Sequence, residues 1–160
     1  MPDANILGRV IHAALLSAAL LAGPALQAGE AEERQALARS HDDPRLEWGP
    51  CPEFLPQGCA IAVLQGDPAA PNADIYFKVP GGAQIARHWH TSAERMVLVS
   101  GELQVTYDGQ EPVVLRTGTY AYGPARVPHD ASCAPGDPCV LFIAFEEPVD
   151  AHPGEPAAGD

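Results

Sequence analysis

His88, His90 and Glu94 fall within one glycine-bracketed stretch, Gly82 to Gly101, that reads G-A-Q-I-A-R-H-W-H-T-S-A-E-R-M-V-L-V-S-G. Imidazole nitrogen and carboxylate oxygen are ligand atoms for divalent iron, manganese, zinc, copper or nickel. Residues two apart on a β-strand project from the same face, so His88 and His90 point together. The T-S-A segment behind them is a turn-length connection, and it lets Glu94 approach the same point from the next strand. A fourth ligand has to come from elsewhere. His129 is the candidate, because it closes a second glycine-opened segment, G-T-Y-A-Y-G-P-A-R-V-P-H from Gly118, and only His41 and His152 remain in the chain after its first 28 residues. A lone histidine in a strand is more often a core or surface residue than a ligand. Two at this spacing, with Glu94 and a further histidine-bearing segment, point instead to a site for one divalent transition metal.

These side chains have to be carried by strands. After Cys59 the chain runs through short β-like segments: C-A-I-A-V-L-Q, D-I-Y-F-K-V, Q-I-A-R-H-W-H, R-M-V-L-V, E-L-Q-V-T-Y, P-V-V-L-R, T-Y-A-Y, V-P-H-D-A-S and C-V-L-F-I-A-F. Turn chemistry separates them, in G-D-P, P-G-G, S-G, D-G-Q, R-T-G, G-P-A and A-P-G-D-P. Roughly nine short strands without a convincing helix indicate an all-β sandwich or barrel. If His88 and His90 face inward, alternation turns Arg87 and Trp89 outward, towards an interface or an outer layer. Met96 and Leu98 share the face of Glu94 and make an apolar wall beside the metal. Tyr76, Phe77, Tyr120 and Tyr122 are candidates for the remaining lining, without strand register to say which ring points inward.

The two histidine segments resemble the motifs of the cupins. The first motif is glycine, five residues, H-x-H, three or four residues, glutamate, six residues, glycine, and Gly82, His88, His90, Glu94 and Gly101 occupy every position. In the second, Gly118, Pro124 and His129 match, while Arg126 stands where the family has glycine and Cys133 where it has asparagine. The resemblance covers residues 59 to 146 and implies an all-β jelly-roll barrel, the double-stranded β-helix, with the metal inside it. A left-handed backbone at Arg126 would cost about 1–2 kcal/mol. The W-G-P near the start and P-G-G-A-Q-I-A-R-H-W-H make the chain similar to small bacterial cupins related to the ChrR-type metal-binding domain.

The first 28 residues hold one basic side chain, Arg9, an apolar run from Val10 to Ala22 and then G-P-A-L-Q-A. This is the pattern of a secretory signal peptide, since the run falls short of the ~20 residues that span a bilayer. Cleavage is expected after Ala28, with Ala25 as the alternative site and an uncleaved membrane anchor as the alternative reading. Cleavage removes one acid, Asp3, and one base, Arg9, so the net charge stays at −12. Such a surface repels nucleic acid and anionic membrane. All four cysteines remain in a chain bound for the periplasm or the exterior. Cys51 with Cys59 and Cys133 with Cys139 are the expected disulfides, because each pair flanks a short proline- and glycine-rich loop. The alternative, cysteine in the metal shell, is disfavoured by the absence of C-x-x-C spacing. The expected organisation is therefore a signal peptide over 1–28, an N-terminal extension and pinned loop over 29–58, the β domain over 59–147 and a disordered tail over 148–160. Within the extension, 29–40 is expected to hold a short helix, and Trp48 and Phe54 to pack on the domain edge.

Two functions fit. One is a metal-dependent dioxygenase acting on a small substrate that chelates through oxygen. The resemblance implies such chemistry, because cupins with three histidines and a glutamate include flavonol and acireductone dioxygenases as well as oxalate-degrading enzymes. Glu94 is then the residue on which catalysis depends as well as a ligand. The other is a non-catalytic metal or small-molecule binding module. A homodimer is compatible with either.

Overall fold

A computed structural model describes residues 36–155. The expected signal peptide, residues 29–35 of the expected helix and residues 156–160 lie outside this range. Residues 36–40 carry no regular secondary structure. The chain divides into two units, Met1–Ala38 and Arg39–Asp160, and every described strand belongs to the second.

The strands are β1 (Trp48–Pro50), β2 (Ala60–Gln65), β3 (Asp74–Val79), β4 (Gln84–Trp89), β5 (Glu94–Ser100), β6 (Glu102–Tyr107), β7 (Val113–Arg116), β8 (Tyr120–Gly123), β9 (His129–Cys133), β10 (Cys139–Phe145) and β11 (His152–Pro153). All pairings are antiparallel. One sheet has the order β1-β2-β3-β10-β5-β8 and the other β11-β4-β9-β6-β7. Two antiparallel sheets closing on one core are the expected all-β jelly roll. No helix among the described residues is long and apolar enough to cross a membrane.

The interior is filled by alternate residues of facing strands, among them Ile75, Ile85, Leu98, Leu103, Leu115, Leu141 and Ile143. β10 reads as an unbroken apolar run, and β3 carries I-Y-F between Asp74 and Lys78, because both faces of each strand are covered. Ile75, Leu141 and Ile143 enter the barrel, while Tyr76 and Val140 join Leu46 and Ala62 in a second cluster on the outer face. There the Tyr76 hydroxyl donates to the Arg39 carbonyl at 3.0 Å, and Lys78 Nζ lies 3.8 Å from the centre of the Trp48 ring. The segment around Trp48, read from sequence as loop, is an edge strand, since its backbone pairs with Ala60–Ala62. Disulfides join Cys51 to Cys59 and Cys133 to Cys139, with Cα separations of 5.6 and 5.8 Å.

Residues 148–155 depart from the expected disordered tail. Their composition is polar and proline-rich, yet the Val149 N–H donates to the Pro68 carbonyl at 2.9 Å, and β11 adds to the edge of β4. Backbone pairing to an open strand edge needs no apolar side chains, which is why composition misjudged this segment.

Candidate metal centre

Register brings the site together from both sheets. His88 on β4 pairs with His129 on β9, which pairs with Tyr107 on β6, so three inward side chains form one row across one sheet. In the other sheet Phe145 pairs with Glu94 and Glu94 with Gly123, making the opposing row. His90 follows directly after β4. The rings of His88 and His129 are centred 4.3 Å apart, those of His88 and His90 4.9 Å, and those of His90 and His129 5.3 Å. One donor nitrogen from each of the three lies within 4.8 Å of the others. Glu94 Oε1 lies 3.4 Å from His90 Nε2, and Oε2 lies 3.7 Å from His129 Nε2.

The tautomers suit a cation. His88 Nδ1 donates to the Ala86 carbonyl at 2.7 Å, His129 Nδ1 to the Val127 carbonyl at 3.3 Å, and His90 Nδ1 to the Asp150 carbonyl. With the proton held on Nδ1, each Nε2 keeps its lone pair, the arrangement that orients metal-binding imidazoles. His90 Nε2 is fully buried and has no hydrogen-bond partner. Burial costs such an atom 1–3 kcal/mol or so unless something binds it. Three convergent lone pairs beside a carboxylate, one of them orphaned, fit a divalent metal.

Electrostatics agree. Burial, reinforced by the neighbouring imidazoles, lowers His129 to about 3, and burial with His90 beside it lowers His88 to about 4. Burial also lowers His90, against the pull of Asp150. All three are therefore neutral and able to ligate at physiological pH. Burial pushes the Glu94 carboxyl up to about 8, and the charge of Asp150 adds to the shift. Without a cation Glu94 holds its proton at neutral pH, so metal binding through it would release that proton.

Two backbone positions make room for this constellation. A Cβ on Gly123 would collide with the Tyr107 hydroxyl and stand 3.0 Å from Glu94 Oε2, so only glycine lets β8 pass the site. Arg126 does adopt the left-handed conformation its place in the turn demanded, with φ of 62°. Its N–H donates to the His90 carbonyl at 2.8 Å, and its guanidinium carbon lies 5.0 Å from the centre of the Trp89 ring.

The histidines open onto a cavity of about 280 Å³, whose walls include Ile61, Phe77, Ile85, Met96, Leu141 and Phe145. No lysine or arginine is among the described residues that line it. Pro52 and Leu55 of the disulfide-closed loop and Val149, Asp150 and Ala151 of the C-terminal segment also contribute to its wall. Phe54 approaches His88, with ring centres 6.1 Å apart.

Of the aromatic residues considered for the lining, Phe77 enters the cavity, Tyr76 belongs to the outer cluster, and Tyr120 and Tyr122 are exposed. The tyrosine that faces the histidines is Tyr107, which sequence reasoning passed over. Its hydroxyl is buried without a hydrogen-bond partner, and burial, with Glu94 beside it, raises its pKa. The alternation L-x-V-x-Y of β6 carried the signal, since Leu103, Val105 and Tyr107 share one face. Arg87 and Trp89 do face outward, where Arg87 pairs with Asp108 and Glu155 and Trp89 stacks on His152 with centres 4.4 Å apart. His152 is thus outside the metal cluster but packed rather than free.

Fold and site together define an antiparallel β-barrel that gathers three buried histidines able to hold a metal ion. Residues 75–145 match the cupin domain family Cupin_2, and the chain is a small member of the cupin superfamily. Its structure resembles the polyketide cyclase RemF from Streptomyces resistomycificus, with 17% identity, TM-score 0.61, and coverage of 77% of this chain and 89% of that one. A cupin 2 conserved barrel domain protein from Rhodopseudomonas palustris gives 20% identity, TM-score 0.55, and coverage of 72% and 79%. The DMSP lyase DddQ from Ruegeria pomeroyi gives 19% identity and TM-score 0.59 over 72% of this chain, which spans 64% of the lyase. These likenesses are of fold. No curated protein matches the chain in sequence.

Proposed function

We propose that this chain is an exported mononuclear metal enzyme, a dioxygenase for a small, largely apolar substrate that chelates through two oxygens. The observation that carries this reading is the convergence of three Nε2 lone pairs, each fixed by an Nδ1–carbonyl bond, at an apolar cavity. His88, His90, His129 and Glu94 would hold the metal. Four protein ligands on an octahedral ion leave two positions, where it would serve as Lewis acid and template for substrate oxygens. At about 280 Å³ the cavity stands at the small end of the roughly 300–1,000 Å³ of small-molecule pockets, which suits a small substrate. Its mostly apolar wall favours an apolar body. Lacking a lysine or arginine, the lining suits a neutral β-diketone, enol or phenol better than a dianion such as oxalate. Tyr107 is placed to donate a hydrogen bond to an oxygen of the bound substrate, which would satisfy its orphaned hydroxyl. The two disulfides are compatible with an oxidising compartment and support export.

The test is oxygen uptake by protein loaded in turn with iron, copper, manganese, nickel or zinc and offered β-diketones, flavonols, catechols and oxalate. Consumption with one redox-active metal, abolished by Glu94→Ala, supports the dioxygenase. Tight binding without turnover under every metal would make the site a binding module instead.

A further inference from the structure

The three histidines are not held alike. His88 and His129 are each oriented by a carbonyl two residues earlier, Ala86 or Val127, so the strands that present them also fix them. His90 lies beyond the end of β4, and its Nδ1 bonds to the carbonyl of Asp150, sixty positions later. That carbonyl is itself held in place. Asp150 Oδ1 accepts from the Thr91 N–H at 2.9 Å, its Oδ2 lies 3.0 Å from His152 Nε2, and the His152 ring stacks on Trp89. Further along, the Gly154 N–H donates to the Arg87 carbonyl at 3.3 Å. The segment therefore straps the strand end that carries His90, and its Val149, Asp150 and Ala151 wall the cavity. It lies wholly after Phe145, where the match to the family domain ends.

Resting on the assignment of the metal site, we infer that residues 149–155 are a positioning strap for the metal centre, in which Asp150 fixes the tautomer and ring orientation of His90. A segment that merely covered the barrel would leave metal affinity indifferent to its internal hydrogen bonds. A positioning strap makes affinity depend on the bond between Asp150 and Thr91. The carboxylate of Asp150 acts here as an acceptor from backbone rather than as a ligand, so an amide can replace it.

The test uses the full chain and zinc alone, titrated against a chromophoric chelator. Asp150→Ala should weaken zinc binding by roughly 10- to 100-fold, the usual effect of losing a partner that orients a ligand. Asp150→Asn keeps an oxygen for the Thr91 N–H and should stay close to the parent. Electron paramagnetic resonance of the copper-loaded forms should count three imidazole nitrogens in the parent and in Asp150→Asn, and fewer in Asp150→Ala. Should Asp150→Ala fail to fold, His152→Ala removes the Trp89 stack while leaving the Thr91 bond, and is expected to weaken zinc to a smaller degree. Parent-like affinity in every variant that folds overturns the strap, as does equal weakening in Asp150→Ala and Asp150→Asn, which would make the charge the relevant feature. A parent that binds neither zinc nor copper overturns the metal site itself, and the strap with it.

Discussion

Burial sets the protonation of Glu94 and that of the histidines against each other, and the metal-free protein should show it. His88 and His129, lowered to about 4 and about 3 from 6.5, bind fewer protons folded than unfolded. Their contribution to stability is complete above pH 6.5 and is lost as pH falls towards those values. Glu94 is raised from 4.5 to about 8, so it binds more protons folded, and its contribution is lost as pH rises through about 8. Stability of chelator-treated protein is therefore expected to peak near pH 6.5 and fall on either side. Thermal melts across pH should show that peak, and Glu94→Gln should flatten its alkaline limb. The same substitution should weaken metal binding, because an amide is a poorer donor to a cation than a carboxylate, while His129→Ala should remove most bound metal. Full retention by His129→Ala in elemental analysis would mean that His129 is no ligand. Tyr107→Phe is expected to keep its metal and lose roughly 100-fold in kcat, as deletion of a hydrogen-bond donor to a reacting oxygen does.

Strand connections decide whether these residues meet. Ser92, in the turn between β4 and β5, accepts from the N–H groups of Glu146 and Glu147 at 3.0 and 3.1 Å. This ties the turn that separates His90 from Glu94 to the end of β10. Ser92→Ala would leave two amide donors without their acceptor, at a cost of about 1–3 kcal/mol, measurable as a lower urea midpoint. Gly123→Ala should be harsher on the site. The added methyl would displace Tyr107 or Glu94, so zinc affinity and stability are expected to fall together.

For the molecule as a whole, two short covalent loops flank an acidic barrel. Cys51–Cys59 holds the loop that carries Leu55 into the cavity wall, and Cys133–Cys139 closes the connection between β9 and β10. On the loop-entropy account each contributes about 2–3 kcal/mol, so reduction should lower the melting temperature sharply. Alkylation of the unreduced protein should find no free thiol. Four accessible thiols in protein from its native compartment would argue against export. Saturating zinc should raise stability through mass action, by about 2.7 kcal/mol at a free concentration of one hundred times Kd.

Local chemistry was legible in the sequence. The two-residue period of a strand aligned His88 with His90 and placed Met96 and Leu98 on the face of Glu94, and short loops brought each cysteine pair within reach. Motif spacing carried the barrel, and the left-handed turn at Arg126 could be foreseen from the glycine it replaces. What depended on distant partners was not legible. Tyr107 and Tyr122 both end short alternating runs, yet one faces the histidines and the other solvent, because register with β9 turns Tyr107 inward while β8 shows Tyr122 outward. Trp48–Pro50 became a strand only because β2 offered an unpaired edge. The clearest case is Asp150, whose polar, proline-rich surroundings read as disorder. Its carbonyl nonetheless meets His90 across sixty residues, since backbone hydrogen bonds carry no side-chain signature and are decided by which edges the fold leaves open.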